Sequence, residues 1–471
     1  MKTYYKFRNS CLDTMPVGFY TGKDESDSVY TPARARMVAW CGNAGVHLCQ
    51  VEGFGGMIFA VDPTAPPGDC IHPIAGSIVE LVGLIIQCKH IGPILSAYQW
   101  SRELFNQRCQ AIKPDFKTRS VLRALENTYC PPRISDPYNY IAALQDNFDY
   151  ASLPLHKEYF EWCPIRPGTL SWDVGYGTAF ADYCEKDKVG QELPVNRSTM
   201  WAGESWTVPA IYLCENGIVV DSYLEVSGAK MSAFRNKWAN RIEDHLSIED
   251  QMFRKLDDPL GIDVTGTLAV NDLVAPLRKS FTLIWNPLEE NDWHSRRTLE
   301  HYGLDRNKGY LLRRECFRRK GKNPPIEYLN YTLQAAPAAV PGQRFLAPRP
   351  GESLTFTDPS TGTEHTLTVV AQTREALHPN FLSNHPCCYT RLSFSLEPQI
   401  DPELFSVVDC DAGDPYEQSS ETGSHPYLPG KVPSAGHSAV SSLRHQPAES
   451  ITWRMIFRYK TRQDLFIPLL P

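Results

Sequence analysis

Residues 51–90 read VEGFGGMIFAVDPTAPPGDCIHPIAGSIVELVGLIIQCKH, and this stretch decides the fold. It begins with a turn at Gly53, Gly55 and Gly56, residues that tolerate positive φ. Met57 to Val61 (MIFAV) follows as an apolar strand. Asp62-Pro63 stops it, because proline has no N–H to give to a ladder. Residues 64–68 (TAPPG) predict a rigid loop, and residues 64–73 as a whole read as a contact surface. Ser77 then stands three residues before Glu80, the spacing of a capping box. The helix it opens is apolar nearly all round, so it is expected to be buried on more than one side.

Upstream, residues 36–41 (RMVAWC) and 46–51 (VHLCQV) predict two further strands, joined by Gly42-Asn43-Ala44-Gly45. Three short strands with brief Gly-rich connections predict an antiparallel meander. Downstream, Gly92-Pro93 is expected to break the apolar helix. Residues 94–110 and 116–129 then read as two more helices, the second stopped by Cys130-Pro131-Pro132. Residues 1–135 are thus expected to form an α+β domain.

Residues 136–336 read as a second α+β domain. Residues 207–214 and 218–224 predict a hairpin around Glu215-Asn216-Gly217. Residues 226–241 read as an amphipathic helix with Ser227 as its cap. Strands are expected at 263–270, 280–285, 311–317 and 327–333, and a helix at 293–302. Residues 337–471 begin in a Pro-rich run and are mostly strand, with a flexible excursion at 411–449 that is poor in aliphatics. The fold class is α+β, multidomain, with antiparallel sheets and packed helices and a C-terminal third that is mostly β.

Composition narrows the function classes. A chain of 471 residues exceeds one ordinary core. Hydrophobic residues at 42% and charged residues at 21% exclude wholesale disorder. A net charge of −7 with no long basic run argues against a nucleic-acid partner. The N-terminus has no apolar core of a signal peptide, and residues 78–88 fall far short of the ~20 needed to cross a bilayer. The expectation is a soluble, cytoplasmic chain without membrane contact. Its 14 cysteines are scattered, several inside apolar runs, and are expected to be reduced.

No motif for catalysis, cofactor or metal survives its context test. The glycines at 53, 55 and 56 precede a strand, so no helix N-terminus faces a phosphate. Structural zinc needs four ligands at suitable spacing, and there is no Cys-x-x-Cys pair and no His-Glu-x-x-His. Cys70 with His72, and His385 with Cys387 and Cys388, could each supply only part of a ligand set. No Gly-x-Ser-x-Gly elbow is present, and closeness in sequence does not pair Cys70 with His72 in space. The acidic pairs Glu243-Asp244, Glu249-Asp250, Asp257-Asp258 and Glu289-Glu290 lie near Arg and Lys and read as solvated faces. Arg313, Arg314, Arg318, Arg319, Lys320 and Lys322 form the densest basic cluster, but on a strand they point to both faces. The candidates for partner contact are Asp69, Cys70, His72, Arg313 and Arg314.

The strand set VHLCQV and MIFAV, the polar loop with GDCIHP and the capped helix SIVELVGLIIQC resemble the tail of a domain of the SUKH family. The resemblance covers about a tenth of the chain directly, and a quarter with its flanks. It implies an α+β protein-binding module, often a bacterial immunity protein acting against a toxin, and it brings no catalytic residue or cofactor. The expected function is therefore non-enzymatic protein binding, immunity-like in its finer form, with a protein partner. The alternative is an enzyme with an inter-domain site that uses Cys70, His72 or Glu204. A third reading is an anionic ligand held at residues 313–322.

Overall fold

The computed structural model describes the chain except for residues 1, 22–27, 43, 67, 164, 170, 171, 181, 183, 202, 240–245, 247, 272, 320–324, 377–387, 411–436, 445, 447, 461 and 471. The described residues form ten α-helices and twenty strands, and every strand pairing is antiparallel. The chain is α+β with a strand-rich C-terminal part, as its sequence predicts. Among the described residues, no helix is long and apolar enough to cross a membrane. Two compact units are present: residues 1–231 with 275–325, and residues 232–274 with 326–471. The Pro-rich runs at 131–137 and 337–350, where the sequence suggests boundaries, lie within these units.

The first unit starts with α1 (Lys2–Arg8) and a meander of β1 (Ala35–Trp40), β2 (His47–Val51), β3 (Ile58–Val61) and β4 (Ile71–Ala75), in that spatial order. The β2–β3 turn uses Gly53 at φ 96° and Gly55 at φ 62°, the left-handed region that glycine enters without strain. β4 falls partly inside the stretch expected to be loop. Pro73 does not prevent it, because β4 is an edge strand that pairs only with β3.

Ser77 caps α2 (Ile78–Cys88) as the capping box predicts: Glu80 N–H donates to Ser77 Oγ (3.2 Å), and Ser77 Oγ donates to the Glu80 carboxylate (2.8 Å). The helix ends at Lys89 (φ 64°), before Gly92-Pro93. Those two residues lie instead in the first turn of α3 (Ile91–Ser96), where a missing proline N–H costs no helical bond. The helix expected over 94–110 is two helices, because Ser101 caps a separate α4 (Arg102–Ala111) through the Leu104 N–H (3.1 Å). α5 (Phe116–Tyr129), α6 (Pro137–Asp146) and α7 (Tyr159–Trp162) follow. α2 lies in a core with Leu48, Ile58, Ile74, Phe105 and Leu125.

The chain continues into β5 (Gln191–Trp201), β6 (Glu204–Cys214) and β7 (Gly217–Val226). The predicted hairpin is β6–β7. Gly217 opens β7 because a Cβ there would stand 2.1 Å from the Phe317 carbonyl oxygen. Next come α8 (Gly228–Trp238), α9 (Ile248–Asp257), β8 (Val264–Val270) and β9 (Leu273–Ala275). The chain then returns to the first unit through β10 (Leu277–Trp285), α10 (Trp293–Tyr302) and β11 (Gly309–Arg318). The resulting sheet has the order β10-β11-β7-β6-β5. β11 is an inner strand buried along nearly its whole length.

The second unit contains three sheets. One is β20 (Leu465–Leu470), β12 (Leu329–Ala335), β8 and β9. The others are β13 (Ala338–Leu346), β19 (Thr452–Tyr459), β17 (Phe405–Asp409), and β14 (Ser353–Thr357), β15 (Glu364–Ala376), β16 (Cys388–Glu397), β18 (His437–Val440). These last two sheets share a core around Phe356, Leu367, Phe394, Phe405, Trp453 and Phe457. The expected excursion at 411–449 is partly strand: β18 pairs with β16, while residues 411–436 lie outside the described residues.

Candidate functional site

The site is built where the first unit passes from β3 to β4. Asp62 ends β3 and accepts from the Thr64 N–H (2.9 Å) and hydroxyl (2.7 Å), a local Asx turn. Asp62 N–H then donates to the Cys70 carbonyl (2.8 Å), which closes the loop onto the start of β4. Cys70 lies in the bend just before β4 and His72 within it. Asp69, Cys70 and His72 are 4%, 1% and 6% exposed. The sequence reads this stretch as an exposed contact loop; the structure buries these three residues. They line a cavity of about 200 Å³, with Cys41, Asp62 and Tyr98 among the other walls.

On one side, His72 joins a buried polar cluster. Its ring stacks on Tyr98 at 4.2 Å, and Nδ1 is 3.0 Å from the Tyr150 hydroxyl. Nε2 is 3.7 Å from Asp69 Oδ1, too far for a hydrogen bond, and has no hydrogen-bond partner. Asp69 Oδ2 faces Arg296 at 3.1 Å, Arg296 Nε donates to Glu300 at 2.6 Å, and Arg306 donates to the same carboxylate at 2.6 Å. Arg296 also lies over the Tyr98 ring at 5.0 Å. Burial first, then the Arg296 charge, pushes the His72 pKa down to about 3, so the ring is neutral at pH 7. Burial opposes the Arg296 charge as well, but Asp69 and Glu300 hold its pKa above the ordinary value.

On the other side, Cys70 belongs to a thiol cluster. Its Sγ is 3.1 Å from the Tyr159 hydroxyl, and that hydroxyl is 3.2 Å from Cys163 Sγ and 3.1 Å from the Ile165 carbonyl. Residues 165–169 are laid against this wall: Gly168 N–H donates to the Gly68 carbonyl at 2.9 Å. A Cβ on Gly68, whose φ is 91°, would meet the Thr169 carbonyl oxygen at 2.9 Å. The neighbouring Cys163 thiol and burial raise the Cys70 pKa. Cys163 moves the opposite way, down to about 5, because the Cys70 thiol, the Tyr159 hydroxyl and the Gly68 amide all favour its thiolate.

The other sequence candidates are elsewhere. Arg313 and Arg314 are buried and already paired, which removes them as partner contacts. Arg313 donates to Glu315 (2.7 Å) and Ser280 (2.8 Å). Arg314 grips Asp221 with two bonds of 2.8 Å and lies over the Phe180 ring at 4.4 Å. Lys320 and Lys322 lie outside the described residues, as do His385, Cys387 and the Glu243-Asp244 pair. Glu204 is held in an ion pair by Lys230. Asp257 pairs with Lys237 (2.6 Å) and Glu290 with Arg108 (2.7 Å), as structural or surface carboxylates do. Among the described residues, no group of three or more His, Cys, Asp or Glu is placed to hold a metal ion.

Sequence reasoning named Asp69, Cys70 and His72 but missed Tyr98, Tyr150, Tyr159, Cys163, Arg296 and Glu300. Only Arg296 and Glu300 carry a local signal, the i,i+4 spacing of an ion pair on a helix. Comparison of the chain with protein-family models, with curated proteins and with solved structures finds no match.

Proposed function

We propose that the chain is a non-enzymatic binding protein and that its partner is a protein. The observation that carries this reading is a pair of large apolar side chains left in water on touching elements of the first unit. Phe116, at the start of α5, is 80% exposed, and Met15, in the short 3-10 turn at Met15–Val17, is 56% exposed. The two elements are tied together, since Thr118 Oγ1 donates to the Pro16 carbonyl at 3.4 Å. An exposed aromatic beside a methionine is the composition of a binding hot spot, and neither residue supports the core. The charged groups that catalysis could recruit are largely committed to internal pairs, which also favours binding over chemistry. The resemblance to the SUKH family points the same way, with an immunity-like role as its finer form.

The test is affinity capture with the full chain and with a Phe116→Ala, Met15→Ala variant side by side. The expected result is a specific protein held by the parent and lost from the variant. With that protein purified, Phe116→Ala is expected to cost about 2 kcal/mol, roughly 30-fold in Kd. Equal retention by both forms, or nothing above background with the parent, overturns the proposal.

A further inference from the structure

We propose that Cys70, which lines the cavity, and Cys163 behind it are a peroxide-reactive thiol pair that closes into a reversible disulfide. Both sulfurs sit on one hydroxyl, that of Tyr159, at 3.1 and 3.2 Å. They come from segments far apart in sequence that are packed face to face, as the Gly168–Gly68 hydrogen bond requires. Cys49 shares their apolar cluster, and burial simply pushes its pKa up to about 12, as expected of a thiol acting as a small hydrophobe. Cys163 differs because donors converge on its sulfur from Cys70, Tyr159 and the Gly68 amide. Such convergence marks a thiol kept as the nucleophile, while Cys70 keeps its proton and resolves.

The chemistry balances with hydrogen peroxide as the oxidant. The Cys163 thiolate attacks one peroxide oxygen, the O–O bond breaks, and the departing hydroxide takes a proton to become water. Cys163 is then a sulfenic acid. The Cys70 sulfur attacks it, the S–O bond breaks and the S–S bond forms. The Cys70 proton leaves with the departing oxygen as a second water. Two thiols are oxidised and one peroxide is reduced. Tyr159 is a positioning residue here: its hydroxyl holds the two sulfurs together and supports the thiolate. The pair stands apart from the proposed protein contact at Phe116, so either reading can fail alone.

The experiment treats the full chain with hydrogen peroxide, blocks remaining thiols with N-ethylmaleimide in denaturant, and maps peptides by mass spectrometry without reduction. The expected product is a peptide pair linked through Cys70 and Cys163, lost on adding dithiothreitol, with Cys49 alkylated throughout. Cys163→Ser and Cys70→Ser are each expected to abolish the link, and Cys70→Ser to leave Cys163 trapped as sulfenic acid. The rate of linking is expected to fall less than about threefold from pH 8 to pH 6, where an ordinary thiol loses about 100-fold in thiolate. Tyr159→Phe is expected to slow the linking at both pH values, because the hydroxyl that holds the two sulfurs together is gone. A Cys163 that oxidises without joining Cys70, a Cys70 joined to another cysteine, or both thiols intact at peroxide levels that oxidise surface Cys11 overturns the proposal.

Discussion

Acidification should weaken the first unit, with His72, the histidine pushed down to about 3, as a contributor whose size can be worked out. His72 is 6% exposed, its pKa is pushed to about 3, and in an unfolded chain it would titrate near 6.5. The groups facing it are Asp69, Tyr98, Tyr150, Arg296, Glu300 and Arg306, and burial is the largest cause, since Arg296 and Glu300 oppose one another. The folded pKa lies below the unfolded one, so the unfolded chain binds the extra proton. Stability is therefore full above pH 6.5, falls as pH drops, and reaches its floor near pH 3. At pH 5 the loss is about 2 kcal/mol, at roughly 1.4 kcal/mol for each pH unit below 6.5. His72→Phe keeps the stack on Tyr98 but cannot titrate, and it leaves the Tyr150 hydroxyl unpaired at a pH-independent cost of about 1 kcal/mol. The variant should thus be less stable than the parent near pH 7.5 and more stable near pH 5. Urea unfolding of both proteins at the two pH values, followed by tryptophan fluorescence, measures the crossover. Parallel pH dependences, within about 0.5 kcal/mol, would refute the assignment of a buried neutral histidine.

The remaining predictions concern the scaffold. Arg314→Ala leaves the Asp221 carboxylate, itself 1% exposed, without its cation and should cost about 3–5 kcal/mol by urea unfolding. Replacing both partners, as Arg314→Met with Asp221→Leu, should recover much of that loss; a double variant as unstable as the single one would sink the account. Ser77→Ala removes the cap of α2 and should cost about 1 kcal/mol, whereas Ser77→Gly should cost only a few tenths. A Ser77→Ala variant as stable as the parent would show that the hydroxyl's bond to the Glu80 N–H is not what holds the helix start.

Elements whose ends carry their own chemistry were legible in the sequence. α5 and α10 begin and end at the residues their patterns predict. For the two helices the reason is local: Asp115 and Asp292 accept from N–H groups of the first turn, and Cys130 and Gly303 turn left-handed at the far ends. The break between α3 and α4 was also written locally, as Ser101 three residues before Leu104, but apolar residues on both sides concealed it. β4 was different in kind. Its sequence, IHPIA, contains a proline and is short, and only its edge position makes it a strand. Edge position is a property of the whole sheet, so no window of local sequence could report it.

The candidate site shows the same division more sharply. The proline-flanked GDC segment reads as exposed because proline, glycine and aspartate usually are. What buries it arrives from far along the chain: Tyr150 lies 78 residues from His72, and Tyr159 lies 89 residues from Cys70. A polar group tolerates burial only when partnered, so exposure could not be judged before those partners were known. The arginine pair makes a converse case. Alternation along β11 places Arg313 and Arg314 on opposite faces, as the sequence predicts, and both faces of this strand are buried. Each must then find an anion on its own face. Glu315, two residues on, shares the face of Arg313, and the β7–β11 register sets Asp221 directly opposite Arg314. Register therefore settles what charge density could not: Arg313 and Arg314 hold the sheet together.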